Sequence, residues 1–351
     1  MKTSKKVQLN IGILGASGYT GVELVRLLTL HPNAKIKFLT ANSHAGKNYD
    51  DVFPHLGNES LPKLIKTEDV IWDDIDVVFC ALPHGTTQEI VKMIPTSVKV
   101  IDLSADFRLD NIETYAEWYG HKHYAQEIQK EAVYGLTEFN REGISKGRVI
   151  ACPGCYPTAS LLQILPLVKD TLIDVEDIII DAKSGVTGAG RTVKEASLFS
   201  EIAEGMHPYG VAHHRHAPEI EQEIEKIINK PIKINFTPHL VPMNRGELIT
   251  SYLRLSDGVT TEDLLNTLKN TFRNEMFVRI CSGNIFPATR HVRGSNFVIT
   301  GVYPDRIPGR VILITVIDNL VKGSSGQAIQ NMNLMFGIAE KTGLEQQPLF
   351  P

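Results

Sequence analysis

Ile11-Gly12-Ile13-Leu14-Gly15-Ala16-Ser17-Gly18-Tyr19-Thr20-Gly21 decides how the first half of this chain is read. An apolar run, Val7–Leu14, enters a glycine-rich turn, and Gly21–Leu30 then carries Val22, Val25 and Leu28 at helical spacing. Strand, glycine turn and helix in that order are the setting of a dinucleotide site. Glycine lets the chain turn tightly and lets the backbone approach a pyrophosphate, which faces the helix N-terminus. Gly15, Ser17, Gly18, Tyr19, Thr20 and Gly21 are therefore the expected cofactor-binding residues.

Working outward, Ile36–Thr40, Val77–Ala81, Val98–Leu103 and Val149–Cys152 read as further strands, with Thr87–Ile94 as a crossover helix. That alternation predicts a parallel α/β sheet. An NAD site usually carries an acid at the end of its second strand, bonding the ribose 2′-hydroxyl. Here Thr40-Ala41-Asn42-Ser43-His44-Ala45-Gly46-Lys47 offers no carboxylate before Asp50. Ser43 and Lys47 would suit a 2′-phosphate instead, which favours NADP; the alternative for Lys47 is a plain solvated loop lysine.

The second half changes character. Ile178–Lys183, Lys233–Leu240, Glu247–Leu255, Phe277–Cys281, Asn296–Val302 and Val311–Ile317 read as strands of a mixed or antiparallel sheet. Ala217–Ile228 and Thr260–Phe272 carry helical patterns between them. A last helix, Gly326–Phe336, follows Gly323-Ser324-Ser325-Gly326 and is expected to return to the first domain. The expected organisation is a cofactor domain over 1–155, completed by 320–351, and a catalytic and oligomerisation domain over 156–319. With no long linker, the two are expected to share an interface at the active site.

The chain has 351 residues, 42% hydrophobic and 22% charged, enough for two cores and balanced as in soluble globular proteins. A net charge of −4 gives no basic excess for nucleic acid or an anionic membrane. No apolar run approaches the roughly 18 residues that span a bilayer. The lysine-bearing Met1–Asn10 is followed by too short an apolar stretch for a signal peptide. Cys80, Cys152, Cys155 and Cys281 are then expected as thiols in a reducing compartment, the cytoplasm.

Cys152-Pro153-Gly154-Cys155-Tyr156-Pro157-Thr158 leads into an apolar helical stretch, Ala159–Val168. A CxxC redox pair fits the spacing but not the surrounding chain, and a zinc site lacks a second pair. A nucleophile at a strand-to-helix turn fits better, because a helix N-terminus stabilises a thiolate. For Cys80 and Cys281 simple burial is the default. Among the twelve histidines, His31, His121 and His123 read as surface residues. His213-His214-Arg215-His216, before the Ala217–Ile228 helix, stands out as a cluster that could give such a thiol its base and acid. A merely solvated basic turn is the alternative.

These segments resemble the N-acetyl-γ-glutamyl-phosphate reductases, relatives of aspartate-semialdehyde dehydrogenase. The resemblance is carried by Gly15–Gly21, Asp102-Leu103-Ser104-Ala105-Asp106-Phe107-Arg108-Leu109 and Pro153–Thr158. It continues through Lys183-Ser184-Gly185-Val186-Thr187-Gly188-Ala189-Gly190-Arg191, His214-Arg215-His216-Ala217-Pro218-Glu219-Ile220 and Pro238-His239-Leu240-Val241-Pro242-Met243. It implies a Rossmann-type N-terminal domain plus an α+β mixed-sheet catalytic and dimerisation domain. It further implies NADPH-dependent reduction of N-acetyl-γ-glutamyl phosphate to the semialdehyde, with release of phosphate, through a thioester on Cys155. Cys152 stands where the pattern requires no cysteine. His216 is the implied acid–base residue, with His214 as the alternative. Ser184, Gly185, Gly188, Asn319 and Gly323 join the expected cofactor contacts. Arg108, Arg191 and His239 are the expected substrate contacts, with Lys183 and Arg245 weaker candidates. No metal is expected, and a homodimer or homotetramer is. The rivals are a related enzyme acting on aspartyl or aminoadipyl phosphate, and a non-catalytic dinucleotide sensor.

Overall fold

The computed structural model describes residues 8–57 and 61–350. The chain divides into two units. The first runs to Pro153 and takes in Ser324–Glu345; the second holds Gly154–Gly323 and the tail from Gln346. The break thus falls just before Cys155.

In the first unit, β1 (Leu9–Leu14) is buried on all but one residue, as a strand covered on both faces must be. Val7, the expected start of β1, lies outside the described residues. Around β1 are β2 (Ala34–Thr40), β3 (Leu64–Ile65), β4 (Val77–Cys80), β5 (Lys99–Asp102), β6 (Ala132–Tyr134) and β7 (Val149–Ala151). Their order is β3-β2-β1-β4-β5-β7-β6, and all neighbours are parallel. The order reverses between β1 and β4. Ligands of such sheets bind at the carboxyl ends of the strands beside that reversal, where the glycine turn after β1 lies. The helix Gly326–Met335 packs into this unit. Ser325 Oγ donates to the Thr20 carbonyl at 3.0 Å, which ties that segment to the helix Tyr19–Leu28.

His31 and His123 correct the expectation of surface histidines: both are 3% exposed. Each is buried because both ring nitrogens are bonded. His31 Nε2 meets Asn333 Oδ1 at 2.9 Å, and its Nδ1 accepts from the Asn33 N–H at 3.1 Å. His123 Nε2 meets the Asp106 carbonyl at 2.8 Å, and its Nδ1 accepts from the Ala125 N–H at 3.2 Å. Burial lowers the pKa of both rings, which keeps them neutral.

The second unit is built on β8 (Ile173–Gly185), β9 (His207–Pro208), β10 (Asn235–Val241), β11 (Glu247–Leu255), β12 (Val278–Ser282), β13 (Val298–Pro304) and β14 (Arg310–Ile317). Their order is β12-β13-β14-β11-β8-β10-β9. The β12–β13 and β8–β10 pairs are parallel and the others antiparallel, so the sheet is mixed. β11 alternates buried and half-buried residues, the period of a strand with one covered face. The helix Cys155–Lys169 packs on β8, β11 and β14. It is buried from Tyr156 to Val168, so its apolar residues run all round rather than in a stripe. Gln163, in its middle, donates to Ser251 Oγ of β11 at 2.8 Å and accepts from Thr315 Oγ1 of β14 at 3.2 Å. Those bonds lock the helix to the sheet and so fix where its first residue sits.

Candidate active site

Cys155 is the first residue of that helix, with Gly154 as its N-cap. A cap without a side chain leaves the helix start open, and the first-turn N–H groups there have no helical acceptor. Pro157 has no N–H, which leaves Cys155 and Tyr156 as the residues offering donors next to the sulfur. Two contacts hold the turn. The Gly154 N–H donates to Glu219 Oε1 at 2.9 Å, and Gly323 approaches so closely that a Cβ on it would lie 2.8 Å from Cys155 Cβ.

The residue after the cysteine gathers the imidazoles. The Tyr156 ring lies 5.8 Å from His214, 5.7 Å from His216 and 5.4 Å from Phe236, all edge-on. Tyr209 donates its hydroxyl to Tyr156 at 3.1 Å and packs on His214 at 5.2 Å. The two imidazoles are 4.8 Å apart. Their states differ. Burial, and next the charge of Arg215, push His214 down to about 4, and its Nδ1 accepts the His216 backbone N–H at 3.1 Å. His214 is therefore a neutral, positioned ring. His216 is the N-cap of Ala217–Ile228, the helix that also supplies Glu219. One helix and its approach loop thus deliver both imidazoles and the carboxylate that anchors Gly154.

Tyr209, Glu219 and Glu247 carry no expected role from sequence. Glu219 stands three residues after His216, in the first turn of the helix that cluster opens, and that spacing was its available signal. Glu247 is an acid at an inward position of an alternating strand, in step with buried Ile249, Ser251 and Leu253. It is fully buried, and burial raises its carboxyl to about 8.

Most other expected residues of the second unit are bonded within it. Ser184 is buried and donates to the Gly185 carbonyl at 3.1 Å. Asn319 accepts the Gly246 N–H at 2.9 Å and donates to Thr187 Oγ1 at 2.9 Å. A Cβ on Gly185 would lie 2.8 Å from the Met243 and Asn244 carbonyls, and one on Gly188 would lie 3.0 Å from Ser184 Oγ. These four make a packed node of the second unit. His239 Nδ1 faces the Ala182 carbonyl at 3.2 Å and Asp181 Oδ1 at 3.3 Å. Lys183 pairs with Asp181. Arg191 is exposed after Gly190. Arg245 lies 3.6 Å from Asp318 and lines a cavity of about 290 Å³ with Arg290 and Arg293.

In the first unit, buried Arg108 donates to the carbonyls of Cys152 at 2.7 Å and Leu103 at 3.1 Å, which makes it scaffold for the segment leading to the cysteine turn. Cys152 is 1% exposed, with Asn331 Nδ2 3.6 Å from its sulfur; burial pushes its thiol up to about 12, too high for a nucleophile. Cys80 is fully buried, whereas Cys281 is only half-buried, short of the expected burial. Gly15 has φ +79°, and a Cβ there would lie 2.3 Å from the Ala81 carbonyl oxygen. A Cβ on Gly21 would lie 2.3 Å from the Gly15 carbonyl oxygen. Gly18 caps the helix Tyr19–Leu28 without a side chain, so its N-terminal N–H groups stay accessible to an anion. Ser43 and Lys47 are exposed beyond the end of β2. This cradle fits a dinucleotide with an extra phosphate.

Comparison with known proteins agrees with both halves. Residues 10–147 match the family described as semialdehyde dehydrogenase, NAD binding domain, and residues 155–319 the semialdehyde dehydrogenase dimerisation domain. The chain is 56% identical to a probable chloroplastic N-acetyl-gamma-glutamyl-phosphate reductase of Arabidopsis thaliana, covering 98% of this chain and 86% of that one. It is 55% identical to an N-acetyl-gamma-glutamyl-phosphate reductase of Rhodospirillum rubrum, covering 98% and 99%. Among solved structures, aspartate semialdehyde dehydrogenase II from Vibrio cholerae, complexed with ASA, superposes with a TM-score of 0.74 at 20% identity, covering 95% and 99% of the chains. The enzyme of Candida albicans with NADP gives 0.71 at 18%, covering 95% and 99%. The chain belongs to the semialdehyde dehydrogenase family, among the N-acetyl-gamma-glutamyl-phosphate reductases.

Proposed function

We propose that this chain reduces N-acetyl-γ-glutamyl phosphate to N-acetylglutamate 5-semialdehyde with NADPH, releasing phosphate, through a thioester on Cys155. The observation that carries the reading is a half-buried thiol at an open helix start, with two imidazoles packed on the next residue. Thiolate attack on the acyl carbon expels phosphate, and N–H groups of the first helical turn stabilise the oxyanion. His216 is the acid–base residue. His214, held at about 4, is poorly matched to a thiol at neutral pH and instead orients the His216 backbone. The pyrophosphate would be held by Gly15, Ser17, Gly18, Tyr19, Thr20 and Gly21, and the 2′-phosphate by Ser43 and Lys47. Bound NADPH supplies the hydride that reduces the thioester.

Arg191, whose side chain reaches solvent, is the foremost proposed contact for the substrate's anions, with His239 behind it. The domains divide the work, cofactor in the first and covalent chemistry in the second. The second also carries the contacts of a homodimer or homotetramer. Among the described residues no helix is long and apolar enough to cross a membrane. Free thiols at all four cysteines support a reducing compartment, the cytoplasm. The test is phosphate-dependent NADP reduction with N-acetylglutamate semialdehyde set against aspartate semialdehyde. Preference for aspartate semialdehyde would overturn the substrate assignment, and tight NADP binding with neither reaction would favour a sensor.

A further inference from the structure

Two loops at one end of the mixed sheet face each other across a cavity of about 290 Å³. Met243, Asn244 and Arg245 precede β11, and Thr289, Arg290 and Arg293 precede β13. The loops approach closely. Gly246 has φ +115°, a Cβ there would lie 2.7 Å from Thr289 Cβ, and Thr289 Oγ1 donates to Met243 Sδ at 3.9 Å. The chain's tail braces the second loop: the Leu349 N–H donates to the Arg293 carbonyl at 2.8 Å, and the Arg290 guanidinium lies 5.9 Å from the Phe350 ring. Three arginines thus line one concavity, and no acid lines it. Fully buried Asp318 lies behind, its Oδ2 3.6 Å from Arg245 and accepting the Gly294 N–H at 2.7 Å. One carboxylate against three guanidiniums leaves an excess of two positive charges, which repel one another unless an anion joins them.

We propose that this cavity is a phosphate site, taking free inorganic phosphate or the phosphoryl end of an acyl phosphate. A tetrahedral oxyanion near its dianionic state matches the charge excess, and the guanidinium fork pairs bidentately with such oxygens. The volume, just under the roughly 300–1,000 Å³ of small-ligand pockets, admits one phosphate and its waters. The site is also connected to the cysteine turn. The Asp318 carbonyl accepts the Gly323 N–H at 3.0 Å. Gly323 borders both Ile317 and Cys155: a Cβ on it would lie 3.2 Å from Ile317 Cδ1 and 2.8 Å from Cys155 Cβ. Asp318 therefore holds Arg245 with its side chain and the residue packed on Cys155 with its carbonyl. Naming an acyl phosphate as one source rests on the proposed reaction; binding of the inorganic ion stands apart from it.

The experiment is calorimetric titration of inorganic phosphate, at constant ionic strength, into wild type, the double variant Arg290→Gln/Arg293→Gln, and Arg191→Gln. The double variant should bind phosphate at least about tenfold more weakly, while Arg191→Gln keeps this binding. Arg290 and Arg293 are exposed, so the fold should hold. Should the double variant still not fold, each single variant decides, with a loss of about threefold expected. Phosphate affinity equal in wild type and these variants would overturn the proposal, as would its loss in Arg191→Gln alone. Kinetics of the double variant separate the two sources. An unmoved KM for N-acetyl-γ-glutamyl phosphate assigns the site to the free ion, and a raised one assigns it to the phosphoryl end. Phosphate bound through these arginines by an enzyme inert toward that acyl phosphate would sink the substrate assignment and leave the site standing.

Discussion

Replacing Glu219 by Ala removes the acceptor of the Gly154 N–H, a 2.9 Å bond between two buried residues. A hydrogen bond to a charged group contributes about 1.5–3 kcal/mol, and the orphaned donor stays buried at its own desolvation cost. The expected loss is about 3 kcal/mol. At roughly 2–4 °C per kcal/mol for a unit of this size, melting should fall by about 6–12 °C. Turnover should suffer beyond stability, because the released turn is the one that aims the Cys155 sulfur. A misplacement of about 1 Å is worth on the order of 10²-fold in rate. Glu219→Gln keeps an oxygen at the Oε1 position, so its loss should be about 1 kcal/mol, with turnover within about tenfold of wild type. Melting curves and kcat at a temperature where all three proteins are folded provide the assay. An Ala variant that matches wild type in both would refute the role given to this bond.

Gly15→Ala forces a side chain into a left-handed backbone position, 2.3 Å from the Ala81 carbonyl oxygen. It should destabilise by about 1–3 kcal/mol and weaken NADPH binding at least about tenfold, read by cofactor fluorescence titration. His214 makes stability depend on pH. Its folded value of about 4 lies below the unfolded 6.5, so its contribution is complete above the unfolded value and is lost as pH falls through about 4. That loss amounts to about 3 kcal/mol, and His214→Asn, which keeps an acceptor for the His216 N–H, should flatten this acid limb in denaturation measured across pH. Cys152→Ala should keep nearly all turnover, because burial holds that thiol near 12. Its melting point should drop only slightly, and inactivation of the variant would revive the CxxC reading.

Much of the fold was legible because its signals are local. The helix Ala217–Ile228 and the strand Glu247–Leu255 match their expected limits to the residue, since apolar spacing and a following turn mark both ends. β3, β6 and β9 have two or three residues each, too few for any periodicity, and exist only through their neighbours. His31 and His123 went the other way, because burial of a polar ring depends on distant partners such as Asn333 and Asp106. The site divides along the same line. Cys155 and the histidine cluster announce themselves by chemistry and turn context. Glu219 acts through Gly154, 65 residues away in sequence, and an isolated glutamate has no local mark. Ser184 sits in a glycine-bearing motif, yet its hydroxyl bonds within the second unit itself.

The most direct test of Cys155 as the covalent centre is mass spectrometry of the protein incubated with N-acetylglutamate semialdehyde and NADP in the absence of phosphate. Without its acceptor, the acyl group should remain as a thioester on the Cys155 peptide, accompanied by a single-turnover burst of NADPH, and phosphate should discharge it. Cys155→Ala should form neither adduct nor burst while still binding NADP. Turnover of that variant near the wild-type rate, or an adduct at any other residue, would contradict the assignment.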